Sequence, residues 1–253
     1  MMSLEKVGTY EFMAEPFHCD FSGKLFMGHL GNHLLNAADF HSTDRGFGMA
    51  YLMSIQRSWV LSRLAIEMEQ MPSQYTRFNV ETWVENALRF FTQRNFRVVG
   101  QGENGEEKVY GYGRSVWAMI DTETRQPTDI FAINDGSIIQ WIEKDKPCPI
   151  DKGGRVRVSD TAELVSTIDT HYNDVDINGH INSVKYIEHV LDLWPMSWYK
   201  AHQLKRFEIA YVAEAHGGEQ LSFYREALGE TEFNVRIVRS DGTETSRCKL
   251  QFT

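Results

Sequence analysis

Cysteine is scarce. The three residues Cys19, Cys148 and Cys248, in a chain of 253, are odd in number and match no metal or disulfide spacing. That excludes a disulfide scaffold and a zinc framework and fits a reducing compartment. Proline is scarce too, at 6 residues, so few positions are barred from helix or strand. No apolar run approaches the roughly 20 residues needed to cross a bilayer. Met1 to Tyr10 is polar and lacks the apolar core of a signal peptide. Membrane insertion and secretion are therefore not expected, and the cytoplasm is the expected location. Positive charge is in deficit: 26 Lys and Arg against 35 Asp and Glu give a formal net charge of −9. An acidic chain attracts no polyanion over long range, so nucleic acid is not an expected partner. Docking an acidic protein would need a local basic patch, for which Arg57, Arg63, Lys185, Lys200, Lys205 and Arg206 are the available residues. The histidines form no His-Glu-x-x-His or similar spacing, so no metal, and no other cofactor, is expected.

The length suits two domains. One stretch punctuates the chain: Asp145-Lys146-Pro147-Cys148-Pro149-Ile150-Asp151-Lys152-Gly153-Gly154 holds two prolines and a glycine pair. It reads as a linker over 145–160, leaving an N-terminal domain at 1–144 and a C-terminal domain at 161–253. The halves follow one plan. In the second, Glu163 to Ile168 reads as a strand. A helix is expected from Gly179 to Trp194, with Val184, Ile187, Leu191 and Trp194 on one stripe, Asn178 as its cap and Pro195 as its stop. Phe233, Val235 and Ile237 alternate with polar residues, Asp241-Gly242 signals a hairpin turn, and Cys248, Leu250 and Phe252 alternate again. In the first half, Tyr10 to Met13 begins a strand and Gly31 to Phe40 reads as a helix. Phe78, Val80, Thr82 and Val84 alternate, as do Val116, Ala118 and Ile120. Gly46-Phe47-Gly48 reads as a turn. A short echo, Leu61-Ser62-Arg63-Leu64-Ala65-Ile66 against Leu204-Lys205-Arg206-Phe207-Glu208-Ile209, is consistent with duplication. One long helix followed by an antiparallel sheet in each half predicts an α+β fold, the sheet wrapped around the helix.

The densest polar cluster, Asn173, Asp174, Asp176, Asn178, His180 and Asn182, precedes the second helix. Such residues favour turns for local hydrogen-bonding reasons. They also stand where a helix N-terminus would offer free N–H groups. Setting Gly31 against Gly179 puts Gly28, Leu30 and Asn32 opposite Asp176, Asn178 and His180, so the first half lacks the polar set in that register. Glu188-His189 falls opposite the apolar stripe and reads as solvent-exposed.

The run Asn173-Asp174-Val175-Asp176-Ile177-Asn178-Gly179-His180-Ile181-Asn182-Ser183-Val184-Lys185-Tyr186-Ile187 resembles the acyl-acyl-carrier-protein thioesterases of plant plastids and bacteria. Ser58 to Arg63, Glu81 to Val84 and Ser115 to Asp121 resemble family segments too. Ser183 departs from the family, standing where a second Asn is usual. The resemblance implies a double hot-dog fold, with the first copy shaping an acyl tunnel and the second carrying the catalytic residues Asp176, Asn178, His180 and Glu214. The family's Glu is followed by Cys; here Ala215 stands in that place, so water activated by a carboxylate is the expected nucleophile. Backbone N–H groups of Gly179 and His180 are expected to hold the oxyanion. The implied partner is acyl carrier protein bearing a 4'-phosphopantetheine-linked acyl chain, acted on by a monomer or homodimer. An acyl-CoA thioesterase is the nearest alternative. A non-catalytic acyl-binding module would keep the cavity and lose the polar set, and a dehydratase on the same fold would pair a His with one carboxylate.

Overall fold

The computed structural model describes residues 4–253; Met1, Met2 and Ser3 of the polar start lie outside the described residues. Two compact units result: residues up to Ser62 with Glu69–Asp151, and Arg63–Met68 with Lys152–Thr253.

In the first unit, β1 (Gly8–Met13) is followed by α1 (Met27–Asp44), the short α2 (Met49–Ser54), β2 (Arg57–Met68), β3 (Arg77–Ala87), β4 (Phe91–Gln101) and β5 (Glu107–Asp121). β1, β3, β4 and β5 pair antiparallel in that order, with β2 beside β5. In the second unit, β6 (Glu163–Asp169), α3 (Ser183–Leu191), α4 (Met196–Ala201), β7 (Leu204–Tyr211), β8 (Gln220–Ala227), β9 (Glu232–Arg239) and β10 (Glu244–Phe252) repeat the succession. The sheet order is β6-β8-β9-β10-β7, antiparallel throughout. The end of β2, Arg63–Glu67, pairs antiparallel with β7 in this unit. Each unit is therefore the expected α+β arrangement of a principal helix and a five-stranded antiparallel sheet, the helix being 18 residues long in the first unit and 9 in the second.

The strands form where period two puts apolar side chains on one face. Phe78, Val80, Thr82 and Val84 are all buried, as are Phe233, Val235, Ile237, Cys248, Leu250 and Phe252. Each large side chain taken from water adds roughly 1.5–3 kcal/mol. β5 departs from expectation. Gly113, Ser115 and Met119 are buried on one face, and of the expected Val116, Ala118 and Ile120 on the other only Ile120 is buried, the first two being half-buried. Residues 145–160 contain neither helix nor strand. They are tied down by Arg114, which donates from Nε to the Ile150 carbonyl at 2.9 Å and from Nη2 to that of Cys148.

Both helices differ from their expected bounds. α1 runs four residues further in each direction, and Gly31 is buried inside it. α3 opens at Ser183, capped by Asn182, whose Oδ1 accepts the Val184 N–H at 2.9 Å. Asn178 is therefore not the cap. α3 ends at Leu191, and Pro195 instead precedes α4. Val184, Ile187 and Trp194 of the expected stripe are buried, although Trp194 lies past the helix. Among the described residues, no helix is long and apolar enough to cross a membrane.

Candidate active site

The polar run before α3 folds as a tight turn. Val175 and Ile181 bridge antiparallel across it. The Asp176 N–H donates to the His180 carbonyl at 2.8 Å, and the Gly179 N–H donates to the Asp176 carbonyl at 3.0 Å. Gly179 has φ +80°, where a Cβ is unfavourable. The Asp176 carboxylate fills the turn: Oδ1 accepts the N–H of Asn178 at 2.8 Å and of His180 at 3.3 Å, and Oδ2 lies 3.4 Å from Asn178 Nδ2. The first of these bonds makes an Asx turn, in which a short acidic side chain satisfies the backbone donor two residues on. It corrects the expected oxyanion donors. Gly179 and His180 do not occupy a helix first turn with free N–H groups, because the helix begins later and Asp176 takes both donors.

The turn delivers His180 to Glu214. Glu214 lies in the loop between β7 and β8, where the Ile181 N–H donates to the Ala215 carbonyl at 2.8 Å and His180 bridges His216. His180 Nε2 stands 3.4 Å from Glu214 Oε2, with the two side chains 25% and 39% exposed. The pair is in contact and open to water. The four residues singled out in the sequence thus fall into two groups, Asp176 with Asn178 and His180 with Glu214, joined through the His180 backbone. Ala215 is fully buried, so this position packs the core. Of the thiols, Cys248 is fully buried and burial pushes its pKa well up, while burial also raises that of Cys19. Neither is activated as a nucleophile. No group of His, Cys, Asp and Glu among the described residues could hold a metal ion.

The first unit contains the same turn, in a register the sequence comparison placed wrongly. Cys19 bridges Leu25; the Asp20 N–H donates to Lys24 O at 2.7 Å and the Gly23 N–H to Asp20 O at 2.9 Å. Asp20 Oδ1 accepts the N–H of Ser22 at 2.8 Å and of Lys24 at 3.1 Å, and Gly23 has φ +72°. Gly23, not Gly31, is the counterpart of Gly179. Asp20, Ser22 and Lys24 answer Asp176, Asn178 and His180. In the facing loop, the Leu25 N–H donates to Pro72 O as Ile181 does to Ala215 O, so Met71 answers Glu214. The echo at Leu61 and Leu204 has the same spacing as Pro72 and Ala215, so it marked the true register of the following loop. The turn-forming Asp and Gly are common to both copies. Asn178, His180 and Glu214 occur in the second alone.

One further pair escaped the sequence reading. His189, expected to face solvent, sits with Nε2 2.9 Å from Oδ1 of the buried Asp174, whose Oδ2 accepts the His171 N–H at 2.7 Å. This clasp ties α3 to the segment entering the turn. Its only sequence signal was the Asp itself, since the partner lies fifteen positions away. The proposed basic patch is thinned: Arg57 pairs with Asp121, Lys185 with Glu188, and Arg206 with Glu67 and Glu208.

A family model described as the acyl-ACP thioesterase N-terminal domain matches residues 6–132, and one described as the C-terminal domain of the same family matches 158–253. The crystal structure of an acyl-ACP thioesterase from Bacteroides thetaiotaomicron is 50% identical, covers 98% of each chain and superposes with a TM-score of 0.90. The 12:0-ACP thioesterase from Umbellularia californica, at 20% identity and a TM-score of 0.85, covers 100% of this chain and 99% of its own and shares the fold. The chloroplastic palmitoyl-acyl carrier protein thioesterase of Gossypium hirsutum is 28% identical over 242 residues, 88% of this chain. The match takes in 58% of the Gossypium protein, so the chain spans little more than half the length of that curated relative.

Proposed function

The chain belongs to the acyl-ACP thioesterase family and has its double hot-dog α+β fold, and from that premise we propose that it hydrolyses fatty acyl thioesters of acyl carrier protein. The products are free fatty acid and the carrier's phosphopantetheine thiol, which ends chain elongation in fatty acid synthesis. A cytoplasmic location belongs to the same proposal; plant relatives are named chloroplastic. The observation that carries the reading is the water-accessible His180–Glu214 pair at 3.4 Å, present in the second copy and replaced by Lys24 and Met71 in the first.

In the proposed mechanism Glu214 takes a proton from a water that His180 orients. The hydroxide attacks the thioester carbonyl carbon, and the tetrahedral oxyanion then expels sulfur as the C–S bond breaks. A thiol pKa of about 8.5 makes the thiolate a good leaving group, so the proton held by Glu214, returned through His180, is enough to neutralise it. Asn178, exposed on the same turn with its side-chain amide 3.4 Å from Asp176 Oδ2, is the proposed donor to the carbonyl oxygen, in place of the expected backbone N–H groups. One such donor is worth ~3 kcal/mol in the transition state. Asp176 is assigned the geometry of the set: its carboxylate organises the turn that aims Asn178 and His180.

The test is product analysis with palmitoyl and shorter acyl chains on acyl carrier protein and on coenzyme A. Free fatty acid released from the carrier protein with the higher kcat/KM, slowed by about 10²- to 10⁴-fold in Glu214→Gln, is expected. Preference for the coenzyme A thioester would make it an acyl-CoA hydrolase, and an enoyl product from a 3-hydroxyacyl substrate would make it a dehydratase.

A further inference from the structure

Glu214 sits between Tyr211 at the end of β7 and Gln220 at the start of β8. Backbone bonds hold the loop on either side of it, from Val212 and Ala213 to the Thr245 carbonyl and from Ile181 to the Ala215 carbonyl. The Glu214 carbonyl itself is held by Arg239, the last residue of β9. Its Nη1 donates to the Glu214 main-chain carbonyl at 3.1 Å and lies 3.4 Å from Glu219 Oε1. Its Nη2 donates to Asp241 Oδ2 at 2.7 Å, which anchors the guanidinium on the following hairpin. Glu219 in turn accepts the His216 N–H on Oε2 at 2.7 Å. The His216 ring meets the His180 ring edge to face, with centroids 5.1 Å apart. One planar, permanently charged side chain thus touches the backbone under the base and, through Glu219 and His216, reaches the neighbour of the histidine.

The first copy shows what this assembly is for. Tyr75 and Thr76 bond across to Ala14 as Gly218 and Glu219 bond to Thr170, so Thr76 answers Glu219 and Ser73 answers His216. Counting on along the paired strands, Phe78 answers Leu221. Phe78 faces Gly100 as Leu221 faces Arg239, so Gly100 is the counterpart of Arg239. A Cβ on Gly100 would lie 2.8 Å from the Tyr110 ring, so any side chain there would have to displace that ring. The copy without Glu214 and His180 is therefore also without Arg239, Glu219 and His216, and its fold closes over the vacant place. If Arg239 served the fold of the unit, the first copy would need a substitute; it has an aromatic ring packed against bare backbone instead.

We propose that Arg239 is a positioning residue for the reaction: it holds the Glu214 backbone so that the carboxylate meets His180. This rests on the thioester-hydrolase reading given above. A displacement of about 1 Å at a reacting group costs on the order of 10²-fold in rate. Arg239→Met should lower kcat by about 10- to 100-fold with KM little changed. Arg239→Lys, which keeps the charge and loses the fork, should fall between Met and wild type.

The deciding measurement is a double-mutant cycle, read as thiol release from acyl carrier protein thioesters under single-turnover conditions. If Arg239 acts through Glu214, then Glu214→Gln with Arg239→Met is no slower than Glu214→Gln alone. Losses that multiply, or an unchanged kcat in Arg239→Met, overturn the proposal. Should Arg239→Met fail to fold by near-ultraviolet circular dichroism, the cycle is run with Arg239→Lys and Glu219→Gln, and multiplying losses there overturn it equally. A wild-type protein that releases no thiol from any acyl thioester defeats the functional reading and the proposal with it. An active wild type with multiplying losses defeats the proposal alone.

Discussion

Replacing the turn aspartates one copy at a time separates architecture from chemistry. Asp176 Oδ1 accepts two backbone N–H groups, at 2.8 and 3.3 Å, and Asp20 Oδ1 accepts the equivalent two at 2.8 and 3.1 Å plus the Ser22 hydroxyl at 2.7 Å. Both residues are half-buried. A hydrogen bond to a charged group is worth roughly 1.5–3 kcal/mol when nothing replaces it, and water reaches a half-exposed turn, so either Asp→Ala should cost about 1–2 kcal/mol in all. For a chain of this size that lowers Tm by roughly 2–8 °C. Asp20→Ala should show that loss with turnover intact. Asp176→Ala should show the same loss and a kcat lower by about 10²-fold or more, because His180 and Asn178 lose their aim. Asp176→Asn decides the cause. Its amide oxygen can still accept both N–H groups, so a turn organiser survives the change and kcat should stay within about tenfold of wild type. A general base does not survive it. Thiol release and differential scanning calorimetry on the four variants, Asn and Ala at each site, supply the readouts. Asp176→Asn as inactive as Asp176→Ala would refute the assignment and make that carboxylate the base. Turnover lost in Asp20→Ala would refute the use of the first copy as a control.

The remaining predictions use the same contrasts. Gly179→Ala and Gly23→Ala each force a Cβ into positive φ with no close neighbour at the site, which costs about 1–2 kcal/mol by strain alone. Thermal unfolding should register both changes, and only Gly179→Ala should slow turnover. Alkylation of Cys19 and Cys148 in the folded protein should leave turnover unchanged, and the buried Cys248 should react only on unfolding; inhibition that follows labelling would restore a thiol nucleophile. His41 is fully buried, and that burial, with Arg94 beside it, brings its pKa down to about 2. At neutral pH it is uncharged in both folded and unfolded chains. Below the unfolded value of about 6.5 the unfolded chain gains a proton the fold refuses, so its contribution to stability falls with pH by up to about 1.4 kcal/mol per unit. Urea unfolding at pH 7.5, 6.5 and 5.5 should show wild type losing more stability than His41→Gln toward acid. Equal losses would remove His41 from the account.

How much of this the sequence disclosed depended on the range of the interaction. Period-two patterns placed β3, β5, β9 and β10, because the half-buried face of a strand is written in alternate residues close in sequence. The polar run was legible as a cluster and its fold was not. Asn178 and Asn182 are equally good caps on paper, and only the Asx turn on Asp176 decides that the helix waits for Asn182. The Gly31 comparison failed because a glycine inside a helix and a glycine at positive φ are the same letter. Asp174 with His189, and Arg239 with Glu214, were out of reach, since each pair joins elements whose register the sequence does not state.

That register also changes which evidence bears on catalysis. In the comparison by Gly31, the whole polar set was special to the second copy, Asp176 included. In the comparison by hydrogen bonds, Asp and Gly are shared, and Ser22, Lys24 and Met71 stand in for Asn178, His180 and Glu214. A residue kept where there is no His–Glu pair is explained by the turn it makes; a residue kept only beside that pair needs another reason. The first copy keeps the turn aspartate although Lys24 and Met71 cannot perform the proposed acid–base step. By the same logic the proposed mechanism places the activation of water on Glu214, which meets solvent, while the neighbouring Ala215 is buried with its carbonyl bonded to Ile181.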